Sequence, residues 1–132
     1  MTKTGGCHCG AVRYAVAGGP MHVVLCHCAD CRKSAGAPMV AWAMFPADAV
    51  TVTSGEPKTR NSSGAAMRSF CGDCGTGLLY RNADMLPGIV DVQVVTLDDP
   101  DAFPVAAHIQ VAERIGWMAT AHELPAFERF PD

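Results

Sequence analysis

Short apolar runs that alternate with polar residues, each closed by glycine, proline or small polar residues, dominate the chain. Eight of them predict strands: Ala11 to Val16, His22 to Leu25, Met39 to Phe45, Val50 to Thr53, Met67 to Phe70, Gly77 to Tyr80, Ile89 to Val95 and Ala106 to Val111. Between them lie turn signals, among them Gly18-Gly19-Pro20, Ser54-Gly55-Glu56-Pro57, Asn61-Ser62-Ser63-Gly64 and Asp98-Asp99-Pro100-Asp101. Helical patterning is confined to one or two turns from Ala29 to Ala35 and a further turn around Asp99 to Ala102. The pattern predicts a mainly β domain with little helix and no internal repeat of structural length.

Length and composition narrow this further. The 132 residues correspond to about one domain, spanning 1–132, able to bury roughly two thirds of its unfolded surface. A hydrophobic share of 49% and a charged share of 17% describe an ordinary globular chain. The first residues, Met1 to Gly6, lack the apolar stretch of a signal peptide, and the longest apolar run, Met39 to Phe45, is too short to span a bilayer. A soluble cytoplasmic protein with no membrane partner is expected. The formal charge is −3, and of ten basic residues only Arg32 and Lys33 are adjacent, so no stripe able to track a phosphate backbone is present. Nucleic acid is therefore not an expected partner.

The chemistry lies in seven cysteines in three clusters: Cys7-His8-Cys9, Cys26-His27-Cys28-Ala29-Asp30-Cys31 and Cys71-Gly72-Asp73-Cys74. In a reducing compartment such close spacings suit metal ligation better than disulfides. Cys71-Gly72-Asp73-Cys74-Gly75 has the form of a zinc knuckle, a tight turn aiming two sulfurs at one point, and it supplies half of a tetrahedral site. Cys7 and Cys9 are the simplest other half, since residues two apart in an extended segment share a face and His8 points away. A closed structural zinc on Cys7, Cys9, Cys71 and Cys74 follows; the plainer alternative is a set of buried or unpaired thiols. Cys26, Cys28 and Cys31 then form a second centre with three sulfurs. Either His27, His108 or Asp30 closes it as another structural site, His27 being the weaker candidate because it lies between two ligands, or one position stays open for chemistry. Three thiolates on Zn²⁺ leave a complex of net charge −1, a weak Lewis acid that favours soft sulfur ligands, and a coordinated thiol loses its proton. An open centre thus points to thiol chemistry, and the chain to two Zn²⁺ ions.

The segments Gly5-Gly6-Cys7-His8-Cys9-Gly10, Cys26-His27-Cys28-Ala29-Asp30-Cys31-Arg32-Lys33 with Ser34 to Pro38, and Phe70-Cys71-Gly72-Asp73-Cys74-Gly75-Thr76 resemble the motifs of the glutathione-dependent formaldehyde-activating enzyme family, which also contains centromere protein V. The resemblance continues through Leu97-Asp98-Asp99-Pro100 and His108-Ile109. It implies a β-tent fold of antiparallel sheets, a structural zinc on Cys7, Cys9, Cys71 and Cys74, and a catalytic zinc on Cys26, Cys28 and Cys31. The activity it implies is that of a carbon–sulfur lyase of the S-(hydroxymethyl)glutathione synthase type, with glutathione and formaldehyde as partners. Gln110 stands where members of the family usually carry tryptophan, and the glutamate often found nearby is at Glu113.

Around these centres, Arg32 and Lys33, with Ser34, could receive a glutathione carboxylate or simply form a solvated helix face. His108 could carry protons or serve the fold. Trp42, Met39, Met44 and Met67 read as core or pocket wall, Asp30 and Asp73 as turn formers, and Thr76 and Gly77 as neighbours of the metal sites. Two other functions fit the same residues: a non-catalytic zinc-stabilised protein-interaction module, and the same chemistry on another thiol or carbonyl compound. Monomer and homodimer are both compatible with the sequence.

Overall fold

Ten strands form in residues 1–131, the residues that the computed structural model of the protein describes. Strands β1 (Thr2–Gly6), β2 (Arg13–Ala17) and β5 (Val50–Ser54) make a three-stranded sheet in the order β1-β2-β5. The larger sheet joins β3 (His22–Cys26), β4 (Val40–Pro46), β6 (Lys58–Ser63), β7 (Ala66–Phe70), β8 (Gly77–Asn82), β9 (Ile89–Gln93) and β10 (Ala107–Ile109) in the order β10-β3-β4-β9-β8-β7-β6. Its pairs are antiparallel except β10 with β3, which is parallel, so the large sheet is mixed. The one α-helix among the described residues, α1 (Ala29–Ala35), follows β3 directly and has the predicted bounds.

Side-chain alternation gives the large sheet two different faces. Ala43 and Phe45 of β4, Leu79 of β8, and Val90 and Val92 of β9 pack with Val12, Tyr14 and Val16 in one core cluster shared by both sheets. Burying each of the larger apolar side chains contributes about 1.5–3 kcal/mol. The residues between them point the other way: Arg68 pairs in register with Tyr80, Tyr80 with Asp91 and Asp91 with Met44. That second face, with Trp42 packed against Cys26, Cys31 and Val40, carries the polar groups of the site.

The small sheet is tied to the segment after β9. Tyr14 shares a 2.7 Å hydrogen bond with Thr96. Arg13 meets Asp98 through two hydrogen bonds of 2.9 and 2.5 Å, and Thr4 donates to the same carboxylate at 2.6 Å. A Cβ at residue 5 would fall 2.5 Å from the Tyr14 hydroxyl, so only glycine lets β1 lie across this ring.

Several predicted elements change. The sequence pattern missed β1 and β6: the former contains Gly5-Gly6, and the latter, Lys-Thr-Arg-Asn-Ser-Ser, has no apolar residue because it is the polar edge of its sheet. Asn61 to Ser63, expected in a turn, belong to β6 beside a register shift, and the turn falls at Gly64-Ala65. The strand expected at Ile89 to Val95 stops at Gln93 and becomes a single 3-10 turn, Val94–Thr96. The last expected strand contracts to Ala107–Ile109 because Gln110 takes a left-handed conformation (φ 57°). The Asp99 to Ala102 turn forms, closed by the Ala102 N–H on the Asp99 carbonyl at 3.1 Å. From Pro104 to Pro131 the chain lies on the surface, as β10 and then short 3-10 turns as far as Glu123, with only Ile115, Met118 and Ala121 partly covered. No helix among the described residues is long and apolar enough to cross a membrane.

Candidate metal centres and their cavity

The first centre forms where two turns from different sheets meet. Cys7 leaves β1 through a turn in which its N–H reaches the Val12 carbonyl (3.0 Å) and the Gly10 N–H reaches its own carbonyl (3.2 Å). Cys71 leaves β7 through a matching turn, Cys71 N–H to Thr76 carbonyl at 3.0 Å and Gly75 N–H to Cys71 carbonyl at 2.8 Å. Gly10 (φ 81°) and Gly75 (φ 83°) both need the left-handed backbone that glycine accepts without strain. The Thr76 hydroxyl joins the two turns, accepting from the His8 N–H at 3.1 Å.

This folding brings the sulfurs of Cys7, Cys9, Cys71 and Cys74 within 4.8 Å of one another. Cys9 lies 3.7 Å from Cys7 and 3.8 Å from Cys71, sulfur to sulfur. Four sulfurs bound at ~2.3 Å to one zinc would be ~3.8 Å apart along each edge of the tetrahedron, so the donor set fits such an ion. Donors at two of the sulfurs favour the thiolate: the Val12 N–H points at Cys7 (3.2 Å) and lowers its pKa, and the Thr76 hydroxyl (3.3 Å) brings Cys74 down to about 5, whereas Cys9, beside the Cys7 sulfur, is pushed up to about 12.

In the second centre, Cys26 ends β3, Cys28 is the N-cap of α1 and Cys31 lies in its first turn. The Cys28 sulfur accepts the Cys31 N–H at 3.3 Å, and Gly36 closes the helix in a left-handed conformation. All three sulfurs fall within 4.8 Å of one another, and among the described residues no histidine nitrogen or carboxylate oxygen joins them. The fourth ligands considered from sequence are engaged elsewhere. His27 is buried with its Nε2 2.9 Å from Nδ1 of His108, and the pair lines a different cavity with Met118 and Arg114. Alternation along the chain explains this, since His27 sits between two cysteines that face the other way. Its Nδ1 has no hydrogen-bond partner among the described residues, and burial depresses its pKa. Asp30 is taken by Arg68 (2.7 Å) and Ser62 (2.9 Å).

Arg68 is the group the sequence did not single out. It is 8% exposed, its guanidinium lies 4.8 Å from the Tyr80 ring centroid and 6.0 Å from that of Trp42, and its Nη2 also reaches the Cys31 sulfur at 3.5 Å. The neighbouring Cys26 sulfur, followed by Arg68, draws Cys31 down to about 5, while Cys26 is pushed up by Cys31 and by burial. The only sequence signal for Arg68 is a charged residue in an otherwise strand-like segment.

Arg32 does not face this centre. It donates to the backbone carbonyls of His27 (3.2 Å) and Glu113 (3.3 Å), while the Glu113 carboxylate accepts the Ala29 N–H at 3.0 Å, so the two residues clamp α1 to the surface segment. Lys33 is exposed, and Ser34 accepts from Arg60 at 3.2 Å. The three sulfurs open onto a cavity of about 280 Å³ lined also by Trp42, Arg68, Tyr80, Asn82 and Asp91, with Met85, Leu86, Ile109 and Gln110. Asp91, likewise not anticipated, is 7% exposed, and burial, helped by the charge on Cys31, raises its pKa to about 7. Such a cavity can admit a thiol to a sulfur-bound metal centre in a site that contains both a fixed cation and a carboxyl able to change its protonation state.

Residues 2–113 match the family model described as glutathione-dependent formaldehyde-activating enzyme. A protein of Phaeosphaeria nodorum, provisionally named a glutathione-dependent formaldehyde-activating enzyme, is 28% identical over 116 residues, covering 85% of this chain and 54% of that protein. The chain therefore spans about half the length of that curated relative. A crystal structure of a Rhodobacter sphaeroides protein superposes with a TM-score of 0.63 at 25% identity, covering 80% of this chain and 98% of the other.

Proposed function

This chain belongs to the glutathione-dependent formaldehyde-activating enzyme family, and from that premise we propose that it is a zinc-dependent carbon–sulfur lyase of the S-(hydroxymethyl)glutathione synthase type. Its substrates are glutathione, or a closely related small thiol, and formaldehyde, and its place of action is the cytoplasm, where glutathione is abundant. The single observation that carries the reading is the asymmetry of the two centres: four sulfurs clustered at one, three sulfurs facing a cavity at the other.

In this assignment Cys7, Cys9, Cys71 and Cys74 hold a structural zinc, and Cys26, Cys28 and Cys31 hold the reactive one. When bound there, that ion would supply a soft position that lowers the pKa of an incoming thiol. The protein's own residues prepare that position. The Cys31 N–H on Cys28 and the Arg68 guanidinium on Cys31 fix the sulfurs and moderate their charge. Trp42 and Tyr80 wall the cavity with aromatic surface, which strengthens electrostatic interactions by excluding water. Once both substrates are confined, the thiolate sulfur attacks the aldehyde carbon, and the aldehyde oxygen takes a proton to become the hydroxyl of the adduct. Proximity supplies much of the rate advantage over the uncatalysed addition.

Proton NMR of glutathione and formaldehyde at exchange equilibrium tests the assignment. The zinc-loaded protein is expected to broaden the hydroxymethyl signal by speeding exchange, and Cys28→Ser to remove the effect. Line widths equal to those without protein would reject formaldehyde as substrate. A second reading keeps the chemistry and changes the carbonyl compound: Met85, Leu86 and Ile109 add apolar surface to the cavity that formaldehyde does not need. A larger aldehyde exchanging faster than formaldehyde in the same experiment would favour it.

A further inference from the structure

A largely buried carboxyl with no hydrogen-bond partner is costly, and Asp91, 7% exposed and open only to a cavity, is one. It sits in the middle of β9 between core residues Val90 and Val92, and alternation turns its side chain to the opposite face, into the cavity of the three cysteines. Among the described residues no side chain donates a hydrogen bond to it. The titratable groups that share its cavity are Tyr80 from β8, Arg68 from β7, Asp30 and Cys31 from α1, Cys28 at the α1 N-cap and Cys26 at the end of β3, while β4 presents no titratable side chain there. Arg68, the cation that lines the same cavity, is committed to Asp30, Ser62 and the Tyr80 ring and makes no ion pair with Asp91. With burial as the leading cause, the carboxyl is raised to about 7, where it can both accept and donate a proton near neutral pH.

We propose that Asp91 is the proton carrier of the thiol addition, its carboxylate taking the proton of the incoming thiol and its carboxylic acid returning that proton to the aldehyde oxygen. This rests on the thiol–aldehyde reading above and gives that reaction its acid–base group. The thiol S–H bond breaks and an Asp91 O–H bond forms; the sulfur lone pair then makes the C–S bond as the C=O π pair moves to oxygen; finally the Asp91 proton passes to that oxygen. The carboxylate is regenerated, and the sum is thiol plus aldehyde giving the hydroxyalkyl thioether, with no other reactant. In the reverse direction the same carboxylate removes the hydroxyl proton as the C–S bond breaks.

Glutathione binding to the zinc-loaded protein, measured by calorimetry in buffers of different ionisation enthalpy, reads the first transfer without any turnover. At about pH 8, where free Asp91 is ionised and the charge of a bound thiolate raises its affinity for the displaced proton, wild type is expected to release fewer protons per thiol bound than Asp91→Asn, which releases about one. At about pH 6, where Asp91 is already protonated, both are expected to release about one. The exchange rate of Asp91→Asn at neutral pH is expected to fall ~10²-fold, with metal content unchanged and partial recovery in Asp91→Glu. Equal proton release by the two proteins at the higher pH, or an unchanged exchange rate, overturns the role of Asp91 while leaving the thiol reading in place. A wild type that binds no thiol overturns both.

Discussion

Asp98 and Asp91 are displaced from the ordinary aspartate range in opposite directions, and the cause differs in each. Asp98 is held down to about 2, first by the Arg13 hydrogen bonds and then by Thr4. Its depressed value stabilises the fold above the unfolded aspartate range near 4, and that contribution is lost as pH falls through about 2. Asp91 is raised to about 7, chiefly by burial, so its ionisation destabilises the fold progressively from near pH 4 up to about 7. Urea unfolding of the two asparagine variants should separate these effects. Asp98→Asn is expected to be less stable than wild type at neutral pH and equal to it below about pH 2. Asp91→Asn is expected to match wild type near pH 4 and to exceed it above about pH 7, a gain in stability at the expense of the reaction. The reverse ordering at neutral pH would show that Asp91 is stabilised by a partner rather than strained by burial.

Each cysteine centre is joined to secondary structure in its own way. The four-sulfur centre clamps the turn after β1 to the turn after β7, strands that lie in different sheets. A structural zinc contributes about 10–16 kcal/mol, comparable to or greater than the whole stability of a small domain. Cys71→Ser is therefore expected to give an insoluble or unfolded product. The three-sulfur centre lies within the β3–α1 connection, where Cys28 also caps the helix. Serine is a strong N-cap residue, so Cys28→Ser keeps the helix start while replacing a soft ligand by a poor one. Metal analysis is expected to find two zinc ions per chain in wild type and one in Cys28→Ser, with unchanged circular dichroism for the latter. Two ions retained by Cys28→Ser would remove that sulfur from the centre.

Over the whole molecule, structure is concentrated before residue 110, and the surface segment beyond it serves the site at particular points. Glu113 holds the α1 N-terminus, and Arg32 holds the Glu113 carbonyl. Beyond them Trp117, Leu124, Phe127 and Phe130 are all more than half exposed and bury little. Truncation before Gly116 is expected to cost only about 1 kcal/mol, lowering Tm by a few degrees, and to leave two zinc ions bound. Truncation before Ala107 removes β10, the parallel partner of β3 whose Ile109 lies opposite Cys26, and is expected to lose the three-sulfur ion first. Thermal melts with parallel metal analysis compare the two, and equal losses would mean that the distal segment carries more of the fold than its exposure indicates.

The sequence by itself determined the mainly β class, the bounds of α1 and the division of seven cysteines into four and three, because spacing, alternation and turn chemistry act within a few residues of one another. It was silent where a neighbouring strand supplies what a segment lacks. Lys58–Ser63 is a strand only because β7 completes its hydrogen bonds, and Thr2–Gly6 only because β2 does. Only the tertiary structure decided that His27 turns to His108, that Asp30 is spent on Arg68, and that Arg68, Tyr80 and Asp91 stand side by side across three strands facing the cysteines. Those strands are distant in sequence from β3 and α1, and the burial that shifts a carboxyl's pKa exists only once the sheet has closed around it.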